Sequence, residues 1–224
     1  MRIERIAHRG AKREFHENTV PAFQRAYELG ADAVELDVHA TADGVVVVHH
    51  DPDVWSGRHT VDIASAGWAE LSTLELAGGA SIPRLIDVLA ITPAGRTVYV
   101  EIKGSGIEQL VADAIRSADA RCAVHSFDHG AIGVMREIAP EIPRGVLFER
   151  DAADIPSVMA RVGARDVWPQ WKLVDSALVG AVHAAGGRLL VWTVNDGGVA
   201  TRLEKAGVDG LCGDDIRVFS RPPA

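Results

Sequence analysis

Several features are scarce or missing in this 224-residue sequence, and each absence excludes a class of protein. Only two cysteines are present, Cys122 and Cys212, with no C-x-x-C spacing, which excludes a disulfide scaffold. We expect both to be buried free thiols in a reducing compartment. No apolar run approaches the roughly 20 residues of a membrane span, and no signal-peptide pattern opens the chain. These absences predict a soluble, cytoplasmic protein without a transmembrane segment.

Basic residues are outnumbered in the sequence, which limits the partners it can have. Lys and Arg total 23 against 31 for Asp and Glu, giving a net charge of −8. Because nucleic-acid affinity depends on basic side chains that displace counterions, we expect no nucleic-acid partner, although a local phosphate pocket is compatible with this balance. The 47% of hydrophobic and 24% of charged residues are typical of a globular protein. They exclude disordered, collagen-like and membrane-bundle classes.

Short β-rich runs alternate with helical patterns along the chain. The β-rich runs are Arg2–His8, Ala33–Val38, Val45–His50, Val98–Ile102, Arg121–Ser126, Arg144–Phe148, Asp166–Trp168, Arg188–Val194 and Gly210–Gly213. The helical patterns include Thr19–Leu29, Glu108–Ser117, Ala131–Ile138, Asp175–Ala185 and Val199–Ala206. This alternation is typical of parallel βαβ units and argues against sandwiches and helical bundles.

One pair of runs breaks the alternation. Only residues 39–44 separate Ala33–Val38 from Val45–His50, too few for a crossover helix, and Asp43-Gly44 is a hairpin-turn signal. Val45–His50 is therefore predicted to be a return strand, which leaves eight parallel strands. They predict a single-domain α/β fold over residues 1–224, a (β/α)₈ TIM-type barrel with a short hairpin excursion after the second strand. An open doubly wound sheet is the alternative.

Carboxylates alternate with branched apolar residues on two of the predicted strands. Glu35 and Asp37 share one face of the second strand, and Glu101 shares a face with Lys103 on a later one. Alternation turns the apolar residues toward the helices and the charged ones toward the barrel interior. Because carboxylates that converge at a barrel mouth repel one another, these three predict a divalent cation, and oxygen ligands favour magnesium, calcium or manganese over zinc. Surface salt bridges to arginines are the alternative.

The tripeptide His8-Arg9-Gly10 ends the first predicted strand and combines three useful properties. A histidine titrates near neutral pH and can move a proton, whereas an arginine can hold phosphate oxygens in a bidentate fork. The glycine permits close approach of the backbone. His8 is thus a candidate acid or base and Arg9 a candidate phosphate ligand, although a solvated loop is the alternative for such a short motif.

A second histidine is expected at the same mouth. A turn around Asp43-Gly44 pairs residues whose numbers add to about 87, which puts His50 opposite Asp37 and Glu35. His49 points to the other face by alternation and is expected to be a bystander. His50 is therefore the second candidate for proton transfer, with a structural histidine as the alternative.

One lysine and several tryptophans complete the candidate residues. Lys103 shares the inward face with Glu101 and could contact a phosphate oxygen, its alternative role being to neutralise Glu101. Trp192 is expected near the mouth, where it could form a flat apolar wall for an alcohol or a headgroup, with core packing as the alternative. Trp168 and Trp171 could extend that rim or pack structurally.

With these residues identified, the sequence resembles the glycerophosphodiester phosphodiesterase family. The motifs that carry the resemblance occur in order along nearly the whole chain. They are His8-Arg9-Gly10, Glu17-Asn18-Thr19, Ala22-Phe23, Gly30-Ala31-Asp32, Glu35-Leu36-Asp37-Val38, Asp43-Gly44, Val47-Val48, His50-Asp51, Ile82-Pro83, Leu85, Glu101-Ile102-Lys103, Ser126-Phe127-Asp128, Trp192-Thr193-Val194-Asn195 and Gly207-Val208-Asp209-Gly210. Each motif is short, but their joint order and spacing are specific.

The resemblance implies a barrel that hydrolyses glycerophosphodiesters to glycerol 3-phosphate and an alcohol with a divalent cation, Mg²⁺ or Ca²⁺. It implies three metal ligands, an acid–base pair, two phosphate contacts and an apolar wall. The implied metal ligands are Glu35, Asp37 and Glu101, and the implied acid–base pair is His8 and His50. Arg9 and Lys103 are the implied phosphate contacts, and Trp192 is the implied apolar wall. Glu17 matches a motif position near the metal without a defined role. A phosphodiesterase for lysophospholipids or another phosphodiester, and a non-catalytic barrel that binds phosphorylated metabolites, are the rival functions.

Three positions depart from the family pattern. His16 stands where proline is usual, and Arg84 replaces a common threonine after Ile-Pro. The last predicted strand ends in Gly213-Asp214-Asp215 instead of threonine-aspartate. None of these departures falls on a proposed catalytic group, so they bear on the shape of the rim rather than on the reaction.

Overall fold

Eight parallel strands close into a barrel in this protein, whose computed structural model describes residues 3–55, 57, 59–150 and 154–219. The described strands are β1 (Glu4–His8), β2 (Ala33–Ala40), β3 (Val46–Val48), β4 (Asp53–Trp55), β5 (Thr60–Asp62), β6 (Glu75–Leu76), β7 (Ala80–Ser81), β8 (Thr97–Ile102), β9 (Arg121–Ser126), β10 (Arg144–Phe148), β11 (Asp166–Pro169), β12 (Arg188–Val191) and β13 (Gly210–Gly213). Around the barrel the order is β1, β2, β8, β9, β10, β11, β12 and β13, and β13 pairs with β1. The predicted TIM-type barrel is confirmed, since an open doubly wound sheet has no such closure.

Helices cover the outside of the barrel. They are α1 (Val20–Glu28), α3 (Leu85–Ala90), α4 (Glu108–Arg116), α5 (His129–Ile138), α6 (Ile155–Val162), α7 (Ser176–Ala184) and α8 (Gly197–Ala206), whereas α2 (Trp68–Leu71) belongs to an excursion from the barrel. A 3-10 helix, Ile216–Val218, follows β13. The sequence patterns predict α1, α4, α5, α7 and α8, and the structure adds α3 and α6 to the barrel. Within the part of the chain that is described, no helix combines the length and apolar character needed to cross a bilayer.

The hairpin of β2 and β3 has a register one residue away from the predicted one. Val38 pairs with Val48, so the numbers of paired residues add to 86 rather than 87. β3 also ends at Val48, because the chain bends at His50. The expected pairing of His50 with Asp37 is therefore wrong, and the backbone N–H of His49 instead donates to the carbonyl of Asp37 at 3.0 Å.

The limits of other predicted strands also differ in the structure, since β2 and β11 end later, at Ala40 and Pro169, and β8 begins earlier, at Thr97. The first predicted run is Arg2–His8, whereas β1 begins at Glu4; Arg2 lies outside the described residues. β12 ends at Val191, three residues before the predicted end at Val194. Beyond Val191 the chain makes a single β-bridge, between Trp192 and Gln170, which holds Trp192 at the barrel mouth.

A small excursion lies between β3 and α3. It contains two antiparallel hairpins, β4 with β5 and β6 with β7, and the single-turn helix α2. Its apolar side chains form a separate cluster with Val47 of β3, including Val54, Ile63 and Leu71. The predicted excursion after the second strand is thus present, and its own core anchors it to the β2–β3 hairpin.

The barrel interior is filled by one apolar side chain from each of the eight barrel strands. These residues are Ile6, Ala33, Tyr99, Ala123, Leu147, Trp168, Leu190 and Cys212. The two largest of these side chains, Tyr99 and Trp168, meet edge to face with 4.9 Å between ring centroids, and the same cluster contains Ala33 and Ala123. The alternate residues, such as Val34 and Val100, pack outward against the helices as the alternation predicts. Cys212 is a buried free thiol as expected, whereas Cys122 is only half-buried.

Charged side chains close the amino end of the barrel. Arg188 forms ion pairs with Glu4 and, at 3.7 Å, with the fully buried Asp166, which Arg165 also contacts. The hydroxyl of Tyr99 donates to Glu4 at 2.9 Å. Glu4, Tyr99, Arg165 and Arg188 of this network line an open cavity of about 510 Å³. Residues at this end of such a barrel usually contribute to stability, whereas catalytic groups lie at the opposite end.

Candidate active site

The carboxyl ends of the barrel strands surround a cavity of about 280 Å³. Charged side chains from β1, β2, β8 and the segments that follow them line one side, here called the charged half: His8, Arg9, Glu35, His50, Glu101 and Lys103. Aromatic side chains from β11 and the segments after β9 and β12 line the other side, here called the aromatic half: Phe127, Trp168 and Trp192. The structure therefore brings the sequence-predicted candidates to one opening, with the exceptions described below.

The three predicted carboxylates are buried together at this mouth. Glu35 and Asp37 are 3% and 0% exposed on β2, and Glu101 is 6% exposed on β8, directly beside Asp37 in the parallel register. Burial, together with the charge of Asp37, raises the pKa values of Glu35 and Glu101 to about 7. A cation bound between these two carboxylates would stabilise their ionised forms.

Asp37 differs from the two glutamates because cations already surround it. Its Oδ2 lies 3.0 Å from Nε of Arg9 and accepts a hydrogen bond of 2.9 Å from Asn18, and its Oδ1 lies 3.5 Å from Nζ of Lys103. Burial alone would raise the pKa of Asp37, but these two positive charges and the hydrogen bond lower it below its ordinary value. Asp37 is therefore ionised and fixes Arg9 and Lys103 at the mouth.

His125 is a buried member of the site that sequence reasoning missed. Among the described residues, Glu35, Glu101 and His125 are the group whose potential metal-ligand atoms all lie within 4.8 Å of one another; Asp37 is outside it. Burial lowers the pKa of His125 to about 4, so the imidazole is neutral at pH 7. The available signal is parity, since His125 follows the inward-facing Ala123 by two residues on β9.

A carboxylate from the last strand orients His8. Its Nδ1 lies 2.8 Å from Oδ1 of Asp214, and its Nε2 lies 4.0 Å from Oε2 of Glu35. Asn195 donates to the other oxygen of Asp214 at 2.7 Å. Burial alone would raise the pKa of Asp214, but the hydrogen bond from His8 and its charge lower it to about 2. A permanent anion at Nδ1 selects the tautomer that leaves Nε2 free toward the cavity.

Arg9 reaches the site from an uncommon backbone conformation. Its φ is +59°, and Gly10 follows with a φ of +84°. The backbone N–H of Arg9 donates to the carbonyl of Glu35 at 2.9 Å, and one guanidinium nitrogen donates to Glu17, also at 2.9 Å. Left-handed backbone at a non-glycine residue is strained and persists only where surrounding contacts hold it. Glu17 thus holds the guanidinium of Arg9 in place. Its position in the sequence motif does not by itself define this role.

His50 reaches the cavity by a route other than the predicted pairing. The bend after β3 turns its side chain to the cavity, where it is 35% exposed and its Nδ1 lies 2.7 Å from Asp51. His39 contacts the backbone carbonyl of His50 at 3.1 Å. His49 turns away from the cavity and contacts the carbonyl of Asp53 at 3.2 Å, as expected of a bystander.

The aromatic half is built from interlocked rings. The indole N–H of Trp192 donates to the carbonyl of Trp168 at 2.9 Å, and Phe127 meets Trp192 edge to face with 5.5 Å between ring centroids. Glu149 lies on this side as well and was not anticipated. Trp171, proposed for the rim, does not line the cavity; its ring lies instead beside Arg202.

The unusual end of the last strand has a steric explanation. A Cβ atom at Gly213 would overlap the carbonyl oxygen of Val194 and lie 2.8 Å from the ring of Phe219. A side chain at position 213 therefore does not fit this backbone, and the following Asp214 contacts His8. The departure changes local packing and leaves the orientation of His8 intact.

Fold and site together define a barrel enzyme whose mouth pairs buried carboxylates with two cations and two histidines. Residues 8–218 match the glycerophosphoryl diester phosphodiesterase family, and the chain belongs to this family. The expected family and the enzyme class are thereby confirmed. Members of the family generally depend on a divalent metal, for which the Glu/Glu/His group is the candidate site here.

Individual relatives agree with this assignment. A glycerophosphodiester phosphodiesterase of Caldanaerobacter subterraneus is 33% identical over 94% of this chain and 93% of its own length. The crystal structure of a glycerophosphodiester phosphodiesterase from Agrobacterium tumefaciens superposes with a TM-score of 0.85 at 28% identity, covering 97% of this chain and 99% of its own. An Oleispira antarctica phosphodiesterase, solved with its product sn-glycerol-3-phosphate, shares the fold with a TM-score of 0.86 at 24% identity, covering 96% and 94%.

Proposed function

We propose that this protein hydrolyses glycerophosphodiesters to sn-glycerol 3-phosphate and an alcohol, using a divalent cation and two histidines. The observation that carries the proposal is the oriented His8, whose Nε2 faces the buried pair of Glu35 and Glu101 beside Arg9 and Lys103. A phosphodiester is anionic, and this opening offers it fixed positive groups and a proton-transfer group at the same point. The product complex of the Oleispira antarctica relative is consistent with this substrate class.

The donor set fits a divalent cation. Glu35 and Glu101 are buried side by side with raised pKa values, which is the response of carboxylates that lack a sufficient counter-charge. We assign them, with Asp37 at their side, as the residues that hold the ion. Carboxylate oxygens alone select hard ions such as Mg²⁺ or Ca²⁺. When bound, such an ion would draw electron density from the phosphoryl group and favour attack on phosphorus.

The remaining charged residues bind the phosphate group and transfer protons. Arg9 and Lys103 contact the non-bridging phosphate oxygens, since Asp37 keeps both cations at the mouth. One histidine of the pair His8 and His50 accepts the proton of the nucleophile as the new P–O bond forms. The other donates a proton to the alkoxide as the bond from phosphorus to the alcohol oxygen breaks.

The nucleophile is either water or the 2-hydroxyl of the substrate glycerol. Direct attack by water gives glycerol 3-phosphate at once, whereas attack by the 2-hydroxyl gives a cyclic phosphate that water then opens. Hydrolysis in oxygen-18 water, followed by phosphorus NMR, separates the two routes, because only the second shows a transient cyclic phosphate signal.

The aromatic half favours a second candidate substrate class. Phe127 is 44% exposed and stands with Trp192 as an apolar wall at the mouth. Such a wall fits the leaving alcohol of a glycerophosphodiester and also the acyl chain of a lysophospholipid. Turnover of glycerophosphocholine, glycerophosphoethanolamine, glycerophosphoinositol and lysophosphatidylcholine, compared at equal concentration, distinguishes the two classes.

Removal of the ion and of each histidine tests the proposal. We expect chelation to abolish hydrolysis of that substrate panel and divalent ions to restore it. We expect His8→Ala and His50→Ala each to lower kcat about 10²–10⁴-fold, while His49→Ala, the adjacent bystander, stays near the wild type. Near wild-type turnover of either first variant would end the two-histidine assignment, and full activity after chelation would end the role of the ion.

A further inference from the structure

His125 has the properties of an unused metal ligand. Its side chain is 1% exposed, and its Nδ1 has no hydrogen-bond partner in the structure. Its Nε2 lies 3.6 Å from Oε1 of Glu35, too far for a hydrogen bond. When the ring proton of the neutral imidazole is on Nδ1, the lone pair of Nε2, the nitrogen 3.6 Å from Glu35, is free to bind a ligand.

The ring of His125 is held in position by packing rather than by hydrogen bonds. It stacks on Trp168 with 4.4 Å between ring centroids and an interplanar angle of 19°. Tyr99 flanks it at 6.4 Å. A ring fixed by two aromatic neighbours presents its nitrogen to the two glutamates without a loss of rotamer freedom on binding.

We propose that His125 binds the cation through Nε2 together with Glu35 and Glu101, so that the site binds Co²⁺ more tightly than its carboxylates alone would. The inference rests on the proposed function, because it concerns the same ion. Two ligand atoms each about 2.1 Å from one ion lie up to about 4.2 Å apart, which accommodates the 3.6 Å between His125 and Glu35.

The chemistry of the ligand explains the expected gain in affinity. A neutral imidazole offers a nitrogen lone pair, and first-row transition ions bind nitrogen far better than Mg²⁺ or Ca²⁺ do. Oxygen ligands alone favour the hard ions, and a single nitrogen adds affinity for transition ions such as Co²⁺.

Pulsed electron paramagnetic resonance of Mn²⁺ in the full-length protein tests the proposal directly. We expect nitrogen-14 coupling to the manganese in the wild type and its loss in His125→Gln, which replaces the nitrogen ligand by an amide. His129→Gln is the matched control, because His129 contacts the carbonyl of Leu147 at 3.0 Å and does not line the cavity. Coupling that is absent from the wild type, or that persists in His125→Gln, overturns the proposal.

Calorimetry with the metal ions alone supplies an independent measure. We expect His125→Gln to weaken Co²⁺ binding about 10–100-fold and to leave the Mg²⁺ affinity within a factor of about three. Equal loss for both ions, or no loss for Co²⁺, contradicts nitrogen ligation. His125→Asn, a shorter amide, repeats the comparison if the glutamine variant folds poorly. Hydrolysis by the wild type is assayed in parallel, so metal-dependent turnover without nitrogen coupling overturns this inference alone.

Discussion

At the residue scale, Asp214 determines how His8 can act. The two side chains come from opposite ends of the chain and meet at 2.8 Å, and Asn195 holds the second carboxylate oxygen. The anion fixes the ring and its tautomer, so that Nε2 keeps a lone pair for proton transfer. In this arrangement Asp214 is a positioning residue, since it touches His8 rather than the cavity.

We expect Asp214→Asn to lower kcat about tenfold to 10³-fold with little change in KM, because an amide can donate to Nδ1 and stabilise the wrong tautomer. Steady-state kinetics across pH 5–9 would show the loss together with a changed acid limb. Asp215→Asn is the matched control, because Asp215 pairs with Arg217 instead. A variant that keeps wild-type kcat and pH profile would remove Asp214 from this role.

The same carboxylate links stability to pH. The pKa of Asp214 is about 2 in the folded protein, below the value near 3.9 in an unfolded chain. Its stabilising contribution is therefore complete above about pH 5 and is lost as the pH falls toward 2. We expect chelated wild type to lose on the order of 1 kcal/mol more than Asp214→Asn between pH 6 and pH 2.5. Urea unfolding at several pH values measures this difference, and parallel curves for the two proteins would contradict it.

The site residues that the sequence predicts are marked by local patterns, whereas those that it missed depend on contacts between distant parts of the chain. The inward direction of Glu35, Asp37 and Glu101 follows from alternation within one strand, which is local information. His125 has the same parity, but a histidine in an apolar strand resembles a core residue until its neighbours are known. Asp214 acquires its role only through contact with His8, 206 positions away, which no local pattern contains.

At the element scale, the turn between β1 and α1 sets the approach of Arg9 to the site. Gly10 has a φ of +84°, and a Cβ atom there would lie 2.8 Å from the carbonyl carbon and the Cβ of Ala22. The turn thus needs both a left-handed backbone and close contact with the first turn of α1. The position of Arg9, the proposed phosphate-binding residue, therefore depends on the packing of α1.

We expect Gly10→Ala to lower the free energy of unfolding by about 2–4 kcal/mol and to reduce kcat/KM, because the clash displaces Arg9. Gly106→Ala is the control for backbone strain, since Gly106 has a φ of +72° with open space around it; it should lose only about 1 kcal/mol. Denaturant unfolding and kinetics of the two variants make the comparison. Equal losses would show that contact with Ala22 is unimportant.

The elements themselves were largely predictable, but their register was not. Alternation of strands and helices, with one hairpin too short for a crossover, defines eight parallel strands and hence the barrel. The register of β2 with β3 depends on the turn, where the N–H of Thr41 donates to the carbonyl of Val45 at 3.0 Å and the N–H of Val45 donates to the hydroxyl of Thr41 at 2.9 Å. This side-chain contact closes a wider turn than Asp43-Gly44 alone suggests and shifts the pairing by one residue.

At the scale of the whole molecule, the two ends of the barrel have different tasks. The amino end holds a network of Arg188, Glu4, Asp166 and Tyr99, whereas the carboxyl end holds the candidate active site. Charges at the amino end are already paired with one another. Their energetic effect should therefore appear in stability rather than in turnover.

We expect Arg188→Met to destabilise the protein by about 2 kcal/mol, because Glu4 and the buried Asp166 lose a shared counter-charge while Arg165 still covers Asp166. kcat should stay within a factor of about two. Arg116→Met, which breaks an exposed pair with Glu141, should cost no more than about 0.5 kcal/mol. Urea unfolding and steady-state assays report both effects, and a large loss of kcat in Arg188→Met would show that the two ends are coupled.

The division of the mouth into a charged half and an aromatic half bears on how substrate specificity can evolve. In the proposed mechanism, attack on phosphorus depends on one set of strands, while Phe127 and Trp192, at the ends of other strands, contact the departing alcohol. Exchanges at those two positions alter which esters are accepted and leave the bond-breaking apparatus untouched. After gene duplication, a few substitutions at these positions can thus change which ester the protein accepts.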